Sequence, residues 1–308
     1  MTWDNALESY KTYLILEKSL ANNSIEAYLN DIRKLIKFCV YERHVEEPEN
    51  VTYEQLKEFL VYTTQDGTSA RTQARLISSI RSFFKFLVYD GRLSCNPARL
   101  VEAPKIGRRL PCTLTVKEID AMIQAADLSK PDGQRNRAII EMLYSCGLRV
   151  SELTSLKISN INFNKNIIKV EGKGNKERLI PLSNRAKQEI KQYMPFREQL
   201  DIAPEAEDIL FLNKRGGALS RVMIFNIIKQ LTFLAGIRKN VSPHTLRHSF
   251  ASHLVTGGAD LRAVQDMLGH ESILTTEIYT HLDDKFLKET MEKYHPRSKN
   301  NINHAQDE

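Results

Sequence analysis

Between Pro104 and Pro111 the chain carries two prolines, Gly107 and the pair Arg108-Arg109, and proline and glycine interrupt helix and strand alike. No single regular element crosses that stretch. The 308 residues are therefore expected to fold as two bodies, since domains run to roughly 100–200 residues each. The expected division is 1–104 as a first domain, 105–112 as a linker, 113–295 as a second domain and 296–308 as a flexible polar tail.

Apolar residues recur at helical spacing through the first body. Trp3, Leu7, Tyr10 and Leu14 form one stripe, and Ile25, Tyr28, Leu29, Ile32, Leu35, Ile36 and Cys39 a second. Thr52 with Gln55 reads as a capping box ahead of a third helix, and a fourth is expected from about Ser69 to Tyr89, stopped near Gly91. The second body opens on another capping box, Thr115 with Glu118, and its helices are expected to about Ala126 and near 134–145, 151–157, 184–193, 220–235, 244–255, 260–268, 272–280 and 284–293. Residues 167–171 and 178–180, joined by Gly-Lys-Gly-Asn at 172–175, read as a β-hairpin. The expected fold class is mainly α with a small β-sheet in the second domain.

No apolar run approaches the ~18 residues of a membrane helix, and Asp4 and Glu8 stand where a signal peptide carries basic charge. A cytoplasmic protein with no membrane partner is expected. Cys39, Cys95, Cys112 and Cys146 are too scattered for a disulfide framework, so reduced thiols are the expectation.

The net charge of +6 is unevenly placed. From Arg71 to Arg109 nine basic residues face two acidic ones, a net +7, which leaves −1 for the rest. Such a concentration suits a polyanion, although a solvated surface could also carry it. On a wheel of ~100° per residue with Arg71 as origin, Arg75, Lys85 and Arg81 fall at roughly 40°, 320° and 280°. Leu76, Ile77, Ile80, Phe83, Phe84 and Leu87 cluster between about 120° and 240°. One helix face is basic and the opposite face apolar, which makes Arg71, Arg75, Arg81 and Lys85 candidates for contact with a phosphate backbone.

Five segments of the second body hold residues that no fold demands: Gly147-Leu148-Arg149-Val150-Ser151-Glu152-Leu153, the turn residue Lys173, His244-Thr245-Leu246-Arg247-His248, Leu268-Gly269-His270, and Ile278-Tyr279. Singly they are ordinary. Arg149 suits an exposed helix start, Lys173 a solvated turn, His270 the residue after a helix stop and Tyr279 a core-packed ring. His244 and His248, at i and i+4, could present two metal ligands, but no H-E-x-x-H is present, no cysteine lies near, and Arg247 would set a cation beside the metal. No metal or other cofactor is expected.

Taken together and in order, the five segments resemble the tyrosine recombinase family of phage integrases, and within it the Xer type. The resemblance implies a two-domain, C-shaped clamp on double-stranded DNA and a catalytic set of Arg149, Lys173, His244, Arg247, His270 and Tyr279. It implies that Arg149 and Arg247, with His270 beside them, hold the nonbridging oxygens of the scissile phosphate. Lys173 would protonate the leaving 5′ oxygen, His244 would assist proton transfer at Tyr279, and Glu152 would support the site from behind. Tyr279 would be the nucleophile, forming a 3′-phosphotyrosyl intermediate. The residue types suit that chemistry, because fixed cations stabilise the charge that develops on phosphate oxygens. Arginine binds such oxygens bidentately. A tyrosine with a pKa near 10 is only about one part in a thousand ionised at pH 7, so it needs a base or a cationic setting.

The resemblance further implies a homo- or hetero-tetramer with a related recombinase on two DNA duplexes at a specific site, and leaves a septal DNA translocase open as a partner. The chain is expected to begin directly at the core-binding domain, which favours resolution of chromosome or plasmid dimers over the integrase of a mobile element. A DNA-binding module without catalysis, a metal-dependent nuclease and a type IB topoisomerase are the competing functions. Beyond Tyr279, Phe286, Leu287, Met291 and Tyr294 form an apolar stripe. It could fold back on its own domain; the resemblance implies that it docks on a neighbouring protomer.

Overall fold

A computed structural model of the chain describes residues 1–104, 112–171, 177–269 and 284–297, the side chains of 284–286 excepted. It separates into two units, Met1–Arg109 and Leu110–Glu308. Most of the expected linker, 105–111, and the helix expected at 272–280 lie outside the described residues.

The first unit is helical because its apolar residues repeat at helical spacing and its helix starts are capped. Helices α1 (Trp3–Leu16), α2 (Asn22–Lys37), α3 (Tyr53–Gln65) and α4 (Ala70–Tyr89) enclose one core. Thr2 and Ser69 each accept a backbone N–H in the first turn of α1 and α4, and Thr52 with Gln55 closes the capping box of α3. The second stripe does not end with α2. A π-helical turn, Phe38–Glu42, carries it on, so that Phe38 and Cys39 are buried. In the middle of the core Phe83 of α4 meets the edge of Tyr10 of α1, their ring centroids 5.2 Å apart.

The second unit is built around α6 (Gly133–Ser145), whose residues are buried on almost every side. Around it lie α5 (Val116–Gln124), α7 (Val150–Thr154), α8 (Asn184–Glu198) and α10 (Pro243–Gly257), with α9 (Arg221–Leu234) against α5, α7 and α10. Three antiparallel strands, β1 (Ile161–Asn162), β2 (Ile167–Glu171) and β3 (Glu177–Pro181), stand in the order β1-β2-β3. The β2–β3 register pairs Ile167 with Pro181 and ends with Glu171 opposite Glu177. Helix α11 (Leu261–Leu268) ends at Gly269, and α12 (Asp284–Tyr294) lies against β3, α10 and α11.

Four expectations are corrected. The sheet has a third strand, β1, which two residues in an Asn-rich stretch do not announce. Helix α7 stops at Thr154, short of 157. Helix α8 runs through Pro195 to Glu198, because burial of Tyr193 and Arg197 offsets the hydrogen bond a proline removes. Arg197 anchors that end, donating from Nε to the Ile209 carbonyl at 3.0 Å. The expected tail, 296–308, is held at its start, where Arg297 pairs with Asp120 at 2.6 Å and with Glu141 at 3.2 Å; His295, the last residue of the expected second domain, is fully buried. Of the stripe on α12, Leu287 and Met291 enter the core of their own unit and Tyr294 packs at its edge.

Candidate active site

The site grows from one buried carboxylate. Glu152 sits in the first turn of α7, and its Oε2 accepts the backbone N–H of Arg149 at 2.8 Å, which caps the helix start. Oε1 takes the Arg149 guanidinium at 2.8 Å. From β3, Arg178 reaches the same carboxylate with a two-pronged grip, Nη1 to Oε1 at 2.7 Å and Nη2 to Oε2 at 2.8 Å. A third guanidinium, that of Arg247 on α10, stands 4.0 Å from Oε2.

The same three arginines hold the end of α11. A helix terminus leaves carbonyls without partners inside the helix. Here Arg178 Nε donates to the Met267 carbonyl at 3.1 Å, Arg247 Nη2 to that of Leu268, and Arg149 Nη2 to that of Gly269 at 2.8 Å. Arg247 Nη1 also donates to the Gly147 carbonyl at 2.6 Å, tying the loop before Arg149 to α10. Two glycines permit this closure. Gly147 has φ +59° and a Cβ there would lie 2.6 Å from Phe250 Cδ1; Gly269 has φ +60° and a Cβ would lie 3.1 Å from Arg178 Cδ.

Three guanidinium groups against one carboxylate leave a net positive site. Burial acts to raise the Glu152 pKa, and the hydrogen bonds from Arg178 and Arg149 outweigh it, holding the carboxyl below its ordinary value. Burial, then the Arg149 charge, pushes the Arg247 pKa down to about 10, which still leaves it protonated at neutral pH. Arg149 is the more open cation, its side chain 31% exposed against 9% for Arg247. Such an arrangement can bind an anion and stabilise charge growing on it.

Among the expected site residues, Arg149, Glu152 and Arg247 come together here, while His244 stands exposed in the first turn of α10, three residues before Arg247. Lys173, His270 and Tyr279 lie outside the described residues. Of the described residues near them in sequence, Arg178 of β3 and Gly269 belong to this cluster. No group of three or more His, Cys, Asp or Glu side chains that could hold a metal ion occurs among the described residues. Nor is any helix there long and apolar enough to cross a membrane.

The sequence profile of the Phage integrase family matches residues 113–285, and that of the phage integrase N-terminal SAM-like domain matches residues 7–91. The chain belongs to the phage integrase family. It is 41% identical over 298 residues to tyrosine recombinase XerD of Chlorobaculum tepidum, covering 96% of this chain and 97% of that protein. To XerD of Staphylococcus saprophyticus it is 40% identical, covering 96% of this chain and all of the other. Among solved structures, the XerH site-specific recombinase bound to its difH substrate in a pre-cleavage complex is 26% identical, with a TM-score of 0.66 over 92% of this chain and 82% of that one. A lambda integrase fragment on a COC′ core site, 20% identical with a TM-score of 0.70 over 92% of this chain and 100% of that one, shares the fold. The protein is thus a site-specific tyrosine recombinase, an enzyme of DNA strand exchange.

In this phage integrase the basic face of α4 is narrower than its wheel suggests. Phe86, at roughly 60° on that wheel, is buried against Tyr10 and Tyr13, and Ser79, at roughly 80°, is buried as well. The buried arc therefore reaches the margin of the basic face. There Arg75 folds down onto the buried Asp31 at 2.7 Å, with Ser79 Oγ donating to the same oxygen. On the opposite margin Arg81 donates to the carbonyls of Ala98 and Val101. Arg71 and Lys85, at the centre of the face, are exposed with no hydrogen-bond or ion-pair partner among the described residues.

Sequence reasoning missed Arg178. A signal was present: on β3 it shares a face with the buried Ile180, and a cation in phase with the core calls for a carboxylate. Which carboxylate, 26 residues away, was not legible.

Proposed function

We propose that this recombinase cuts and rejoins DNA at a specific site through a 3′-phosphotyrosyl intermediate on Tyr279. Arg149 and Arg247 grip the nonbridging oxygens of the scissile phosphate, with His270 beside them. Lys173 delivers a proton to the leaving 5′ oxygen, and His244 assists the proton that leaves Tyr279. Attack by the phenolate oxygen on phosphorus breaks the bond to the 5′ oxygen and stores its energy in the new ester, so neither ATP nor a metal ion is required. The reverse attack by a 5′ hydroxyl rejoins a strand and frees the tyrosine.

The observation that carries this reading is the cluster of three guanidinium groups around Glu152, a preorganised anion site in which two of the cations are the arginines of the five-segment pattern. The kinship with XerD supports resolution of chromosome or plasmid dimers in the cytoplasm by a homo- or hetero-tetramer on two duplexes. The first unit would grip double-stranded DNA with Arg71 and Lys85 of α4, aided by Arg75 where it clears Asp31. A septal DNA translocase would be a regulator of such an assembly. The reading is tested on a nicked half-site in EDTA without ATP. Wild-type protein should form an SDS-resistant adduct, and Tyr279→Phe should bind the half-site without forming one. Adducts that persist in the variant, or that vanish with EDTA, would overturn it.

A further inference from the structure

Arg178 belongs to none of the five motif segments, yet it is bound into the cluster as firmly as the motif arginines. All three of its guanidinium nitrogens are engaged inside the protein, two on Glu152 and one on the Met267 carbonyl, and its side chain is only 12% exposed. It sits on β3 opposite Val170 of β2. One side chain thus ties the hairpin, the start of α7 and the end of α11.

The electrostatic consequence is specific. Glu152 is buried and ionised, and its charge must be met by neighbouring cations. Arg178 meets it with a paired grip, so Arg149 gives it one guanidinium nitrogen, gives a second to the Gly269 carbonyl, and keeps its remaining N–H groups for a further anion. Without Arg178 the carboxylate would face, among the described residues, only the cations Arg149 and, at 4.0 Å, Arg247. It would then draw both onto itself, away from a phosphate.

We propose that Arg178 is a positioning residue for strand cleavage, saturating Glu152 and fixing the end of α11 so that Arg149 and Arg247 present their charge to the scissile phosphate. The inference rests on the recombinase reading of the site. Arg178 need not touch DNA; it acts through the two arginines.

The test is single-turnover cleavage of a saturating nicked half-site by the full chain, with half-site affinity and thermal melting measured alongside. In Arg178→Gln the rate should fall about a hundredfold, the scale of a misplaced catalytic group, while half-site affinity holds. Arg178→Lys, which keeps the charge but not the fork, should recover part of that loss. The double variant Arg178→Gln/Glu152→Gln should cleave faster than Arg178→Gln alone, because the unbalanced carboxylate is gone. A merely structural arginine would give no such recovery. Should Arg178→Gln fail to fold, Arg178→Lys and the double variant, which leaves no unpaired carboxylate, carry the comparison. Wild-type cleavage rates in Arg178→Gln or Arg178→Lys, or a double variant no faster than a folded Arg178→Gln, would overturn the proposal. If wild-type protein itself forms no adduct, the recombinase reading fails first, and the proposal with it.

Discussion

Arg247→Ala should damage folding and chemistry together, and the structure says by how much. The guanidinium holds the Gly147 and Leu268 carbonyls, and only 9% of its side chain is exposed. Each buried carbonyl left without a donor costs about 1–3 kcal/mol, so the second unit should lose about 2–6 kcal/mol, toward the lower end if water enters the space. That is a large share of a typical stability of about 5–15 kcal/mol. Cleavage by the fraction still folded should fall about a hundred- to a thousandfold, the cost of losing one preorganised donor. The two units need separate readouts. Trp3, the only tryptophan, lies in the first unit, so its fluorescence serves as an internal control that should not change. Hydrogen exchange of α10 and α11 amides in urea would report the second unit. Wild-type protection of those amides in Arg247→Ala would refute the assignment of the two carbonyls to Arg247. Arg149→Ala, which frees one carbonyl beside a partly exposed side chain, should destabilise less for a comparable loss of rate.

On α4, neutralising Arg71 and Lys85 should weaken DNA binding and reduce the slope of log K against log salt by about 0.9 per lost phosphate contact, with the Trp3 transition unchanged; an unchanged slope would place the DNA surface elsewhere. Arg75→Gln should instead destabilise the first unit, because Asp31 is buried and keeps only Ser79, and Trp3 fluorescence in urea would show it as an earlier transition. His295 gives the second unit a pH dependence: burial, then Arg297 and His253, push its pKa down to about 3. Below about pH 6.5 the unfolded chain takes up a proton that the folded chain refuses, so stability present at neutral pH should drop by about 1.4 kcal/mol per pH unit as pH falls toward 3. His295→Phe, which keeps a ring between Tyr144 and Phe250, should flatten that slope, and an unaltered slope would assign it to another group. Removing residues 284–308 takes Leu287 and Met291 out of the core and Arg297 from Glu141, at about 2–5 kcal/mol for each apolar side chain, so the truncated second unit should melt well below the full chain; equal melting would mean that α12 adds nothing in its own unit.

Local signals were legible and long-range partners were not. The capping boxes at Thr52 and Thr115 located the starts of α3 and α5 because all their atoms lie within four residues of sequence. The helical spacing of apolar residues likewise found α1, α2 and α4. A periodicity could not show that Phe86 turns inward, since that depends on where Tyr10 and Tyr13 of another helix stand. Arg75 and Arg81 therefore looked as free as Arg71 and Lys85. The helix expected at 184–193 runs on through Pro195 to Glu198, because the cost of a proline is local whereas the burial of Tyr193 and Arg197 that offsets it comes from the whole unit. At the site, Arg149 and Arg247 were recognisable from residue type and order. Their shared grip on the end of α11, and the third arginine that completes it, exist only once β3, α7, α10 and α11 meet.

The proposed chemistry turns on one oxygen, the Tyr279 hydroxyl, which attacks DNA. The most direct measurement traps the covalent complex on a nicked half-site, digests protein and DNA, and sequences the nucleotide-bearing peptide by mass spectrometry. One modified peptide is expected, containing Tyr279, with the nucleotide joined through its 3′ phosphate and a free 5′ hydroxyl on the released strand. A nucleotide on any other residue, or a 5′-phosphoryl linkage at Tyr279, would contradict it.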